Sequence, residues 1–171
     1  PRRSGTVEAM TVRILGVVGG SGFYQLPGLT DVSEERVDTP FGPPSDAVVR
    51  GRLGDVTLLF LPRHGRGHRL TPSQINYRAN VFALKKLGAQ GIISVSACGS
   101  MREEIEVGHI VIVDQFFDRT RQRKDTYFDD GVAAHVQFAD PVCPDLAATL
   151  YDAAVRLGLP AHKGGTYVCL E

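Results

Sequence analysis

The clearest indication of the fold is the stretch VRILGVVGGSG, residues 12–22. Its apolar, β-branched part, residues 12–18, predicts a buried strand, and the glycines that follow predict a tight turn. Downstream, strand and helix patterns alternate, which predicts an α/β fold with a mixed central sheet flanked by helices. The predicted elements are a β-hairpin over 47–53 and 56–62, a helix over 72–87, strands over 91–96 and 109–114, a helix from Pro144 to about Gly158, and a strand over 165–170.

Both predicted helices carry local start or stop signals. Thr71 is the expected N-cap of the first helix, with Pro72 at its first position and Gly88 as its stop. Apolar residues at helical spacing define the inner faces. They are Ile75, Ala79, Phe82 and Ala83 in the first helix, and Leu146, Leu150, Ala153, Ala154 and Leu157 in the second. Residues 25–46, 62–70 and 118–141 are predicted to be loops.

Composition narrows the class of protein. The 171 residues are 43% hydrophobic and 22% charged, which fits one globular domain and argues against disorder. Lys plus Arg and Asp plus Glu both number 19, so the net charge of zero argues against an electrostatic nucleic-acid or membrane binder. No apolar run approaches the roughly 18 residues of a membrane span. Residues 1–11 are predicted to be a polar leader, and residues 12–171 to form the domain.

The cysteines suggest a reducing compartment. Cys98, Cys143 and Cys169 are odd in number and include no CxxC pair. A disulfide framework or a thiolate zinc site is therefore disfavoured, and reduced thiols in the cytoplasm fit better. A packing role is expected for Cys98, because no paired base that would make it a nucleophile lies nearby in the sequence.

Three segments rich in hydrogen-bond donors follow predicted strands. They are Gly19-Gly20-Ser21-Gly22, Arg63-His64, and Ser96-Ala97-Cys98-Gly99. Each alone is better explained as a turn or a solvated loop. Because ligands in such sheets bind at the carboxyl ends of the strands, the three together predict an anion site, with phosphate as the ligand. Ser21, Arg63, His64 and Ser96 would hold it without a metal.

Other site types fit the sequence less well. A dinucleotide fingerprint is incomplete, because Gln25 stands where the third glycine belongs, and no Gly-Lys-Ser/Thr of a P-loop follows. His64 and His68 have the spacing of a zinc pair on a helix, but the intervening glycines disfavour a helix. The acidic residues Glu103, Glu104 and Glu106 are expected to be a solvated face.

Several long stretches identify a family. They are GVVGGSGFY (16–24), TPFGPPSD (39–46), RHGRGHRLTPSQINYRANVFALKKLG (63–88), SVSACGSMREEIEVGHIVIVDQFFDRT (94–120) and FADPVCP (138–144). The chain resembles the methylthioadenosine phosphorylases, within the trimeric purine nucleoside phosphorylase family. The resemblance covers nearly all of residues 12–171 and implies the phosphorylase/hydrolase-like nucleoside phosphorylase fold.

The resemblance also implies a reaction. Such enzymes cleave a purine nucleoside with inorganic phosphate as co-substrate, here 5′-methylthioadenosine to adenine and 5-methylthioribose 1-phosphate. No metal or organic cofactor is implied, the expected assembly is a homotrimer, and the expected location is the cytoplasm. The acid that handles the purine is expected beyond Glu171. The chain therefore resembles the N-terminal portion of a longer, apparently truncated domain, and we expect it to be inactive alone.

The resemblance assigns the site residues one by one. The positions implied to bind phosphate are Ser21, Arg63, His64, Ser96 and the backbone of Ala97. The positions implied to bind nucleoside are Ala97, Cys98, Gly99 and His135, with His135 reaching a neighbouring subunit's pocket. Ser21 and Ser96 stand where threonine is common, and both keep the hydroxyl.

Two alternatives stay open at this point. One is a phosphorylase of 6-oxopurine nucleosides such as methylthioinosine or inosine, although NYRAN at 76–80 favours the methylthio branch. The other is a non-catalytic module that binds a nucleoside or phosphate.

Overall fold

Most of the first predicted strand is present as β1 (Ile14–Gly19) in a computed structural model that describes residues 13–20, 26–129 and 131–171. The leader, Ser21 and the rest of the glycine turn lie outside the described residues. Within them, the strands after β1 are β2 (Thr30–Glu35), β3 (Val48–Leu53), β4 (Val56–Pro62), β5 (Gly91–Ser94), β6 (Ile110–Ile112), β7 (Gln115–Asp118), β8 (Ala161–Lys163) and β9 (Thr166–Cys169). The helices are α1 (Tyr77–Lys86) and α2 (Pro144–Arg156).

The described chain consists of two compact structural units. The first contains the residues up to Ser96 together with Lys124–Thr126, and the second contains Ala97–Arg123 and Tyr127–Glu171. Among the described residues, no helix is long and apolar enough to cross a membrane.

A five-stranded mixed sheet forms the first unit, as the alternation of elements predicts. Its strand order is β2-β3-β4-β1-β5, with β1 parallel to both β4 and β5, and with β3 antiparallel to both β2 and β4. The hairpin β3–β4 is confirmed, and its turn residue Gly54 has a φ of 58°. The carboxyl ends of β1, β4 and β5 therefore lie at one edge of the sheet.

The core lies on both faces of this sheet, because the residues of β4 from Leu58 onward are buried whichever way they point. One cluster joins Leu59 and Leu61 to Val48, Leu84 and Ala89. The other joins Leu58 and Phe60 to Val17 and Val49. A strand buried on both faces reads as a continuous apolar run, which is why β4 is easy to recognise in the sequence.

The first predicted helix is divided. Residues Pro72–Gln74 form one 3-10 turn capped by Thr71, Ile75 is extended with a ψ of 126°, and α1 starts afresh after Asn76. The Asn76 side chain accepts a hydrogen bond from the Ala79 N–H at 3.2 Å and so acts as a second N-cap. The inner-face residues Ile75, Ala79 and Ala83 are buried as predicted.

Three strands were not predicted from the sequence. β2 lies inside the predicted loop 25–46. It was not predicted because it is a polar edge strand that pairs with β3 and has almost no buried side chain. β7 and β8 are short and pair with β9 and β6 respectively. The second predicted helix ends at Arg156 in the structure, so the predicted inner-face residue Leu157 is its C-cap and is 74% exposed, and Ala154 is the buried residue of α2.

Candidate functional site

Arg63 joins two loops at the carboxyl edge of the parallel strands. It directly follows β4, and its backbone N–H donates to the Gly19 carbonyl at the end of β1, at 3.2 Å. Its side chain turns to the segment after β5. There Nη1 donates to the Val95 carbonyl at 2.6 Å and Nη2 donates to the Ser96 hydroxyl at 3.1 Å. Two of the residues predicted to share a site, Arg63 and Ser96, are therefore in direct contact.

His64 also contacts Arg63, and its hydrogen bonds fix the tautomer of its ring. Its Nδ1 lies 2.9 Å from the Leu70 carbonyl oxygen, which can only accept, so Nδ1 carries the proton. Its Nε2 then accepts from Nε of Arg63 at 3.2 Å. The ring of His68 stacks on that of His64, with the centroids 4.4 Å apart. The imidazole therefore has a fixed plane and a fixed direction of hydrogen bonding.

The charge of Arg63 is not neutralised by the residues it touches. Its contacts among the described residues are a carbonyl, a hydroxyl and a neutral imidazole. These use three of the five N–H groups of a guanidinium, which leaves two for a ligand. A planar cation held rigidly by neutral partners suits a tetrahedral or planar anion.

The other arginines of the 62–70 loop, in contrast, face carboxylates. Nη1 of Arg66 lies 2.7 Å from Glu34 Oε1, and Nε of Arg66 lies 3.6 Å from Asp46 Oδ1. Nη2 of Arg69 lies 3.8 Å from Asp46 Oδ2. Partial burial opposes ionisation of Asp46. Hydrogen bonds from the backbone N–H groups of Arg66 and Ala47 and the positive charges of Arg66 and Arg69 outweigh it, so the pKa of Asp46 is lowered.

The remaining predicted site residues are placed as follows. Ser21 lies outside the described residues. Ala97, Cys98, Gly99 and His135 belong to the second unit and are exposed. The packing role expected for Cys98 is wrong, because the residue is exposed and in a segment without regular structure. The acidic residues Glu103, Glu104 and Glu106 are exposed, as expected of a solvated face.

A zinc pair at His64 and His68 finds no support in the geometry. The two rings stack with an interplanar angle of 16°, and both ring nitrogens of His64 are hydrogen-bonded, one to Arg63 and one to Leu70. Across the described ranges, no group of three His, Cys, Asp or Glu residues is arranged to hold a metal ion.

Sequence reasoning missed the groups that hold the cluster together. The Val95 and Leu70 contacts are backbone carbonyls, which no side-chain pattern shows. Asp46 could have been noticed, because it ends the TPFGPPSD stretch that carries part of the resemblance.

Comparison with known proteins places this geometry in a family. Residues 14–171 match the sequence profile of the phosphorylase superfamily. An S-methyl-5′-thioadenosine phosphorylase of Geobacter sulfurreducens is 61% identical over 160 residues, which are 93% of this chain and 56% of that protein. One from Thermosynechococcus vestitus is 52% identical over 165 residues, 95% of this chain and 57% of that protein.

Solved structures agree with the sequences. A methylthioadenosine phosphorylase from an antarctic soil metagenomic library superposes with a TM-score of 0.89 at 48% identity, over 92% of this chain and 56% of the other. The Schistosoma mansoni methylthioadenosine phosphorylase in complex with adenine gives a TM-score of 0.85 at 34% identity, over 92% and 61%. The chain thus spans somewhat more than half the length of the proteins it matches. Its sheet, its strand-end segments and its sequence all lead to one conclusion: the chain belongs to the phosphorylase superfamily.

Proposed function

We propose that this chain is part of an enzyme that cleaves 5′-methylthioadenosine with inorganic phosphate, giving adenine and 5-methylthioribose 1-phosphate. The observation that carries the proposal is the guanidinium of Arg63, fixed by Val95 and Ser96 at the carboxyl edge of three parallel strands with its charge not neutralised. The choice of nucleoside rests on the names of the relatives, which are methylthioadenosine phosphorylases and favour this substrate over 6-oxopurine nucleosides.

The chemistry requires a fixed anion. Breaking the bond between sugar and purine places positive charge on the sugar ring, as in glycoside hydrolysis. A phosphate oxygen held near C1′ stabilises that charge and then forms the new bond to C1′, while the bonding electron pair leaves with the purine, which takes up a proton from an acid of the complete enzyme to become adenine. Binding and orientation of the anion supply most of what the protein must contribute.

The residue roles follow the resemblance and the geometry. Arg63 and Ser96 would bind phosphate, together with Ser21 and the Ala97 backbone, and His64, whose ring nitrogens are engaged by Arg63 and Leu70, would orient the anion through Arg63. Cys98, Gly99 and His135, with Ala97, would contact the nucleoside. We further propose that the complete enzyme is a cytoplasmic homotrimer acting in purine and methionine salvage.

The test is an activity assay on the complete product of the gene that encodes this chain. Adenine release from methylthioadenosine should require inorganic phosphate, and inosine and methylthioinosine should be poor substrates. Release of adenine at the same rate without phosphate, or faster cleavage of inosine, would contradict the proposal.

A further inference from the structure

The 62–70 loop that carries Arg63 and His64 has a backbone that needs support from outside. Gly65 and Gly67 have φ values of 70° and 75°, and His68, which is not a glycine, has a φ of 57°. A left-handed conformation is unfavourable for a residue with a β-carbon. The surroundings of the loop must therefore impose its shape.

Asp46 is the group that grips this loop at its midpoint. Its Oδ2 accepts from the backbone N–H of Arg66 at 2.7 Å, and its Oδ1 accepts from the N–H of Ala47 at 2.8 Å. The side chain is only 16% exposed. One carboxylate thus links the start of β3 to the turn that follows Arg63 and His64.

Ser45 adds a second link from the same place. Its carbonyl accepts from Nη2 of Arg69 at 2.7 Å. Ser45 is 2% exposed and is fixed in turn by Asn80 of α1, which is 3% exposed. Asn80 Oδ1 accepts from the Ser45 N–H at 2.8 Å, and Asn80 Nδ2 donates to the Ser45 hydroxyl at 2.9 Å. A continuous set of hydrogen bonds therefore runs from α1 to the loop.

Asp46 also balances the charge of some arginines of the loop and not of others. It faces Arg66 and Arg69, so a carboxylate balances part of their charge, whereas Arg63 contacts only neutral groups among the described residues. An anion entering this region is consequently attracted to Arg63 rather than to the two neighbouring guanidinium groups.

We infer that Asp46 is a positioning residue for phosphate, which holds the 62–70 loop so that Arg63, with His64 hydrogen-bonded to it, meets the anion in one fixed arrangement. The inference rests on the proposed function for its choice of anion. Asp46 itself repels phosphate, so its contribution is through the residues it holds.

The experiment compares Asp46→Asn with wild type in the complete gene product. Asparagine keeps the size but loses the charge and one of the two acceptors. The dissociation constant of inorganic phosphate, measured by calorimetry, and the KM for phosphate should both rise roughly tenfold, while the KM for methylthioadenosine changes by less than about twofold. A residue with a purely structural role would reduce the amount of folded protein and leave both constants unchanged.

Two further variants frame the result. Asp55→Asn makes the same chemical change in the exposed turn between β3 and β4 and should behave as wild type. Arg69→Lys keeps a positive charge but loses the planar guanidinium that reaches the Ser45 carbonyl, and it should weaken phosphate binding roughly threefold. If Asp46→Asn fails to fold, Arg69→Lys decides the question.

An unchanged phosphate dissociation constant in folded Asp46→Asn would overturn the inference, as would equal increases in both KM values. If wild type binds phosphate but releases no adenine, the proposed function fails, and the phosphate dissociation constants of the variants still decide the role of Asp46. If wild type binds no phosphate, both fail.

Discussion

At the scale of single residues, Arg63 is the group on which the proposed phosphate site depends most. Its side chain is held by the Val95 carbonyl and the Ser96 hydroxyl, so its position is set before any ligand arrives. Preorganised donors lose little entropy on binding, and hydrogen bonds to charged groups are worth about 1.5–3 kcal/mol. The co-substrate should therefore depend on this residue far more than the nucleoside does.

Replacing Arg63 tests that dependence. We expect Arg63→Ala to raise the KM for phosphate roughly 10- to 100-fold, because one charged group and its hydrogen bonds are lost. The KM for methylthioadenosine should move much less. Steady-state kinetics with each substrate varied in turn measures both, and Arg52→Ala, an exposed arginine of β3, is the matched control. An unchanged phosphate dependence in Arg63→Ala would refute the role given to this residue.

The tautomer of His64 is a second expectation at this scale. Because Leu70 offers only an acceptor and Arg63 only a donor, the neutral ring should carry its proton on Nδ1 and a lone pair on Nε2. Nitrogen chemical shifts of the imidazole in the phosphate-free protein at neutral pH distinguish the two forms. A protonated Nε2 beside an unprotonated Nδ1 would contradict the arrangement.

Sequence reasoning placed these side chains together but missed the groups that hold them. Arg63, His64 and Ser96 were expected to lie close together because donors after parallel strands share one edge of the sheet, and the structure shows Arg63 in contact with the other two; their role in binding phosphate stays a prediction. The Val95 and Leu70 carbonyls could not be predicted, since every residue has a carbonyl and only the folded path of the chain selects one. Asp46 was missed because a lone carboxylate in a loop has no catalytic or ligand-binding pattern of its own, although it ends the TPFGPPSD stretch.

At the scale of elements, the sheet's parallel centre brings the site together. β1 lies between β4 and β5, and their ends carry the segments that begin at Gly20, Arg63 and Val95. The strands of this centre are apolar runs, which is why they were predicted from the sequence. β2 was missed because a polar edge strand lacks such a pattern, yet it contributes Glu34 to the ion pair with Arg66.

The end of α1 provides a test of this element's design. Gly88 has a φ of 94° and donates to the Lys85 carbonyl, while Ala89 donates to the Leu84 carbonyl, which is the pattern of a Schellman stop. Gly88→Ala should lower the free energy of unfolding by about 1–2 kcal/mol, since alanine is strained in this conformation.

Urea unfolding of the complete gene product measures this change. Lys85→Ala, an exposed substitution in the same turn, should stay within about 0.5 kcal/mol of wild type. A Gly88→Ala protein as stable as wild type would show that the left-handed stop is not required.

At the scale of the whole molecule, the two units differ in how much they bury. Both core clusters belong to the first unit, whereas in the described part of the second unit Ala154 is the one buried apolar residue. Phe117, Val136 and Leu157 are exposed there. A unit with so little buried apolar surface is weakly stabilised by itself. That the 171-residue chain alone is inactive stays a prediction.

We propose that phosphate, held at Arg63, attacks the sugar. Phosphorus NMR of the reaction of methylthioadenosine with phosphate, carried out by the complete gene product, identifies the sugar that is formed. We expect a new resonance from a sugar 1-phosphate, equal in amount to the adenine released. Adenine accompanied by free methylthioribose, with the phosphate signal unchanged, would rule this proposal out.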